Sequence, residues 1–161
     1  QSKGRTALLD AIFLSLHEMK KSTKNKKALL IISDGGDNSS RYTEGEVKNL
    51  VRESDTLIYA IGVFEPDNAR GRTPEEAAGP GLLNDVAEQT GGRHFPASPS
   101  ELPDIAAKIG VELRNRYVLG FSPTAQQRDG KYHHVQVKVV PPRGLPPLHA
   151  YWRLGYYAPV E

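Results

Sequence analysis

Ala28-Leu29-Leu30-Ile31-Ile32-Ser33-Asp34-Gly35-Gly36-Asp37 decides how this chain is read. Five apolar residues in a row, with no polar residue at alternate positions, suit a strand buried on both faces, as in a parallel sheet. A carboxylate and two glycines come directly after it. Ligands of open α/β sheets bind at the carboxyl ends of the strands, so Asp34 falls where a crevice is expected. Gly35 and Gly36 would let a ligand or a second stretch of backbone come close.

Upstream, Leu9, Ile12, Phe13, Leu16 and Met19 recur at helical spacing and predict an amphipathic helix over 6–19. Thr6 or Ser2 is its expected cap. Lysines 20, 21, 24, 26 and 27 mark the turn that leads into the strand. Downstream, Thr43 and Glu46 form a capping box ahead of Val47, Leu50 and Val51, which predicts a second helix. The run LIYAIGVF at 57–64 is a second continuous apolar strand. Pro66, Gly71, Pro74, Gly79 and Pro80 predict a long surface loop over 65–80, placed to shape specificity. Leu82, Leu83, Val86 and Ala87 predict a short helix stopped by Gly91-Gly92. Residues 93–96 suit a short edge strand. Leu102, Ile105, Ile109 and Leu113 predict a last helix capped by Ser98 or Ser100. This β-α-β-α order predicts a parallel α/β sheet with right-handed crossovers.

The pattern changes near Arg116. Residues 117–121 read as a strand. His133, Val135, Val137 and Val139 alternate with Tyr132, His134, Gln136 and Lys138, the period of a half-buried antiparallel strand. Ala150, Trp152 and Leu154 alternate with Tyr151 and Arg153 in a third. A small antiparallel addition is therefore expected after the parallel sheet, with Tyr151, Trp152, Tyr156 and Tyr157 packing within it.

Composition bounds the function. The chain has 161 residues, 38% of them hydrophobic and 25% charged, which is globular composition with room for a core. It has no cysteine, so disulfides and thiolate chemistry are excluded. No apolar run approaches the roughly 20 residues of a membrane-spanning helix, so no membrane insertion is expected. The net charge of +2 is too small to imply a nucleic-acid partner. The five lysines lack interleaved aromatic residues and read as a solvated turn rather than a phosphate patch. His133 and His134 are adjacent on a strand, face opposite sides and cannot share one ion. There is no nucleophile elbow, dinucleotide fingerprint or phosphate-binding loop. The pair with cation chemistry is Asp34 and Thr6, since Mg²⁺ takes carboxylate, hydroxyl and water oxygens. Turn formation by Asp34 and helix capping by Thr6 explain the same residues without a ligand.

Gly4-Arg5-Thr6-Ala7-Leu8-Leu9-Asp10-Ala11-Ile12, followed by the 28–37 stretch, resembles a von Willebrand factor type A (vWA) domain. The LIYAIGVF strand and the helix ending Thr-Gly-Gly at 90–92 fit it. Arg116-Tyr117-Val118-Leu119-Gly120-Phe121-Ser122-Pro123 and Gly155-Tyr156-Tyr157-Ala158-Pro159 resemble the tail of the bacterial VWFA-related family. The resemblance implies a Rossmann-like three-layer α/β fold, truncated at its N-terminus, over residues 1–115. It places a β-strand extension over 116–161.

The resemblance also implies a metal-ion-dependent adhesion site built from three loops. Its Thr is matched by Thr6 and its third-loop Asp by Asp34, with Gly35, Gly36 and Asp37 in the binding loop. Its Asp-x-Ser-x-Ser motif is absent, and would lie N-terminal to Gln1. Mg²⁺, Mn²⁺ or Ca²⁺ is thus expected for an intact domain, and weak binding or none for the present residues. The implied function is non-catalytic protein–protein or adhesive binding, in which a partner's acidic side chain completes the metal shell. The alternatives are an inert structural scaffold and a metal-assisted hydrolase using Asp34 and Asp37. Members of the family are commonly exported, so the resemblance implies a secreted or periplasmic location. The absent first strand would pair beside 28–32, so the expectation is self-association or pairing through that edge, or supply of the missing N-terminal piece some other way.

Overall fold

The computed structural model describes residues 5–63, 74–123, 128–144, 146 and 148–160. Ser2 and residues 64–73, with the first part of the expected loop, lie outside them. The described chain is mixed α/β. It runs α1 (Leu8–Lys21), β1 (Ala28–Ser33), α2 (Glu44–Glu53), β2 (Leu57–Val63), α3 (Pro74–Thr90), β3 (His94–Ala97), α4 (Leu102–Arg114), β4 (Tyr132–His134) and β5 (Gly155–Tyr157). The first three strands form a parallel sheet in the order β1-β2-β3. β4 and β5 form a separate antiparallel pair.

Alternation along each strand divides the side chains between two clusters. Ile31 of β1 and Ile58 and Ala60 of β2 pack against Leu8, Leu9, Ile12 and Leu16 of α1, Val47, Leu50 and Val51 of α2, and Leu82, Leu83, Val86 and Ala87 of α3. Leu57, Tyr59, Ile61, Phe95 and Ala97 point the other way and pack on Ile109 of α4. Burying each large apolar side chain in these clusters stabilises the fold by about 1.5–3 kcal/mol. The Tyr59 hydroxyl donates to Glu112 at 3.0 Å, and Arg93 donates to the same carboxylate at 2.6 Å, fastening α4 to the sheet. Burial, helped by Glu112, pushes the Tyr59 phenol up to about 12.

The helix ends obey the local rules where the chain carries its own caps. Thr43 and Glu46 make the expected capping box. Gly91 takes φ +83°, its N–H donates to Glu88, and the Gly92 N–H donates to Ala87, which closes α3. Ser98 donates to Glu101 through both its N–H and its hydroxyl, starting a 3₁₀ turn that leads into α4.

Several expectations are corrected. β1 is not buried on both faces: Leu30 is 46% exposed and Ile32 59%. α4 reaches β2 and β3 but leaves these two β1 side chains uncovered. The expected loop ends early, because α3 begins at Pro74 and contains Gly79 and Pro80. A proline at the first helical position gives up no hydrogen bond. Pro80 does lose one, but Gly79 lies against the backbone of Gly35, which holds this end of the helix on the sheet. Residues 117–121 form no strand, and Tyr117 and Val118 are 91% and 80% exposed. The expected alternation of 132–139 holds in burial from His133 to Lys138, yet only 132–134 pair as a strand. Likewise the expected strand over 150–156 is a short one, Gly155–Tyr157. This antiparallel pair is tied to the rest by Leu154, whose N–H donates to Gln89 at 3.3 Å, and by Arg153, whose guanidinium donates to the Arg52 carbonyl.

Candidate functional site

The carboxyl end of β1 and the first turn of α1 meet at one edge of the sheet. Sequence places them about 30 residues apart, and hydrogen bonds lace them together. The Thr6 carbonyl accepts from the N–H groups of Asn38 at 3.0 Å and Ser39 at 3.1 Å. The Thr6 N–H donates to Asn38 Oδ1 at 2.9 Å. Asp10 Oδ1 accepts from Arg41 N–H at 2.8 Å and Tyr42 N–H at 3.1 Å. Phe13 stacks on Tyr42 with ring centroids 3.6 Å apart.

Asp37 is the centre of this lacing. Its Oδ2 accepts from the Leu9 N–H at 2.9 Å and from the Ser40 hydroxyl at 2.6 Å, and its Oδ1 accepts from the Ser40 N–H at 3.2 Å. Ser40 Oγ in turn accepts from the Asp10 N–H at 3.0 Å. These two acceptors occupy amide donors of the first turn of α1, which a helix cannot satisfy internally. Thr6 is therefore not the cap. The residue before the helix is Ala7, whose side chain has nothing to offer, and the cap comes from a loop 28 residues further on. Burial opposes the Asp37 charge. The hydrogen bonds from Ser40, Leu9 and Ser39 outweigh it, and the carboxyl is held below its ordinary range. A general base needs a free lone pair and a pKa near the working pH. Asp37, already hydrogen-bonded on both oxygens and made more acidic, is not set up as one.

Asp34 is placed differently. It is exposed at the end of β1, and its Oδ1 accepts from the Gly36 N–H at 3.1 Å in a tight Asx turn. Its second oxygen has no protein partner among the described residues. Thr6 is exposed too. The glycines between Asp34 and Asp37 are buried. Gly35 takes φ +81°, and a Cβ there would lie 2.5 Å from Gly79 Cα. The close approach that Gly35 permits in this structure is to the N-terminal part of α3.

Of the expected site residues, the structure thus brings Thr6 and the 34–37 loop to one edge and leaves Asp34 as the outward-facing carboxylate. Asp10, Asn38 and Ser40 were not singled out from sequence. Ser40, three residues after Asp37, carries a turn signature; Asp10 sits mid-pattern in a helix and carries none. Asp34 and Thr6 are hard oxygen donors of the kind a divalent cation takes, but two donors fall well short of a full shell. Among the described residues, no three of His, Cys, Asp and Glu are grouped so as to hold a metal ion.

No protein-family model, curated protein or solved structure matches the chain.

Proposed function

We propose that this chain is part of a vWA domain of the VWFA-related kind and serves as a non-catalytic protein-binding module. Recognition takes place at the carboxyl edge of the parallel sheet. The observation that carries this reading is the contrast between two aspartates three residues apart. Asp37 is spent on the start of α1, whereas Asp34 keeps an uncommitted oxygen in solvent beside the tethered Thr6 segment. A divalent cation, when bound, would supply a Lewis-acidic position for a partner's carboxylate. Asp34 and Thr6 would each give it one oxygen, and the rest of the shell would be water and donors other than the described residues. Asp37 supports the same edge by holding the two loops in register. The charge held on Asp37 and its full set of hydrogen bonds also weigh against a hydrolytic role for it.

Titration calorimetry with Mn²⁺ tests the reading on the full chain. We expect weak binding, with a Kd on the order of a millimolar, and its loss in Asp34→Ala. Binding that survives Asp34→Ala, or no binding at all, overturns the cation reading and leaves a scaffold module.

A further inference from the structure

We infer that the groove between the carboxyl end of α3 and residues 150–154 receives an arginine side chain of a protein partner, with Glu88 as its counter-charge and Trp152 as its aromatic wall. The groove lies at the opposite edge of the sheet from Asp34, since Gly92 sits against Ile58 near the start of β2. The inference does not depend on the cation reading.

Two stretches far apart in sequence meet to form it. Gly91 lets the backbone of Trp152 lie on the last turn of α3, where a Cβ would come within 2.6 Å of it. The Leu154 N–H donates to the Gln89 carbonyl and keeps the two together. Glu88, Gly91, Tyr151, Trp152 and Leu154 line a groove of about 190 Å³. Small-molecule sites measure roughly 300–1,000 Å³, so this one suits a single side chain rather than a whole cofactor. Its rings are held in place. The Trp152 indole N–H donates to the Val135 carbonyl at 2.9 Å. The Arg93 guanidinium lies over the Tyr151 ring, 4.5 Å from its centroid, and is itself held by Glu112 at 2.6 Å.

Charge selects the occupant. Glu88 is exposed, and its carboxylate has no hydrogen bond or ion pair among the described residues. It stands near the end of α3, whose last turn carries no basic residue. The carboxyl end of a helix is its negative pole, so a carboxylate is unfavourable there. A local choice that costs stability is the kind expected at a binding site. A cation in the groove offsets both the carboxylate and the helix end, and an aromatic face adds to the attraction. The chain's own arginines around the groove are committed elsewhere: Arg93 to Glu112, Arg52 to Gln89, and Arg153 to the Arg52 carbonyl. No cation lies over the Trp152 ring among the described residues. Of the basic side chains, arginine grips a carboxylate through two parallel hydrogen bonds and stacks on aromatic rings, which lysine does less well. Arginine is also the cation enriched at protein interfaces.

Trp152 is the only tryptophan, so its indole N–H is a single reporter in two-dimensional NMR of the full chain. Titration with the blocked tripeptide acetyl-Ala-Arg-Ala-amide should move that signal and the amides of Gly91 and Gly92, with a Kd on the order of a millimolar. The same peptide with citrulline, which keeps the shape and lacks the charge, should bind about tenfold more weakly. The lysine peptide should also bind more weakly than the arginine one. Glu88→Gln, at an exposed site, should leave the rest of the spectrum unchanged and weaken arginine binding about tenfold. Four results would each overturn the inference: no shift with the arginine peptide, equal binding of the citrulline or lysine peptide, binding indifferent to Glu88→Gln, and shifts confined to another surface.

Discussion

β1 and β2 are nearly interchangeable as sequences. Each is a continuous apolar run, and each comes after a helix and joins the same sheet. In the structure they differ sharply. Every residue of β2 from Leu57 to Gly62 is buried, while β1 buries only Ile31 fully. β2 has a strand on both sides and helices over both faces. Among the described residues β1 has one neighbouring strand, and Leu30 and Ile32 on one of its faces are exposed. Hydrophobic continuity therefore states what a strand requires, and the neighbours determine whether the requirement is met. Besides its pairing with β2, β1 is tied down by the loop at its carboxyl end: Gly35 lies against α3, and Asp37 sits on the amides of α1.

The contrast can be broken most directly by truncating equivalent side chains. Ile58→Ala, at a fully buried site, should cost about 3–4 kcal/mol in chemical denaturation, whereas Ile32→Ala should cost under about 0.5 kcal/mol in dilute solution. Equal costs would mean that the bare face of β1 is covered after all. Next in size, Gly35→Ala should cost about 2–3 kcal/mol. The residue has a left-handed backbone, and its new methyl would meet the α3 backbone. A neutral result would show that α3 does not hold the end of β1. Smallest is Asp37→Ala, at about 1–2 kcal/mol for the lost cap. This one has a pH signature. Asp37 holds its proton less tightly in the fold than its ordinary value of 3.8, so its ionised form stabilises the protein. That contribution is full above the ordinary value and is lost as pH falls through the depressed one. Thermal melts should show the variant closing on the parent below about pH 4; a constant gap down to the acid end would deny Asp37 its role.

Much of the α/β part is legible because its signals are local. The stripe on α1, the Thr43–Glu46 box and the Gly91-Gly92 stop each lie within a few residues of what they determine. The misses share a different cause. The α1 cap is supplied by Asp37 and Ser40, which no reading of residues 2–10 can reveal. Proline and glycine in 74–80 signal a loop, but the structure has a helix there, with Gly79 against Gly35 across the fold. Residues 117–121 are apolar enough for a strand, and 132–139 alternate correctly, but pairing needs a partner strand in register, which alternation does not specify. At the candidate site the sequence singled out Asp34, Thr6 and Asp37. It could not separate the two aspartates, because the difference lies in amide donors 28 residues upstream.

The cap on α1 has a consequence for how the chain is made. Residues are added in order, so the helix emerges before the loop that completes its first turn. Some 28 residues separate Leu9 from Asp37, which at typical synthesis rates is a delay of roughly 1.5–6 s. An isolated helix of this length is marginal in water. During that interval α1 has an open, frayed beginning, and Asp37 and Ser40 complete its first turn when they arrive. The first turn of α1 is thus completed only after β1 has been synthesised.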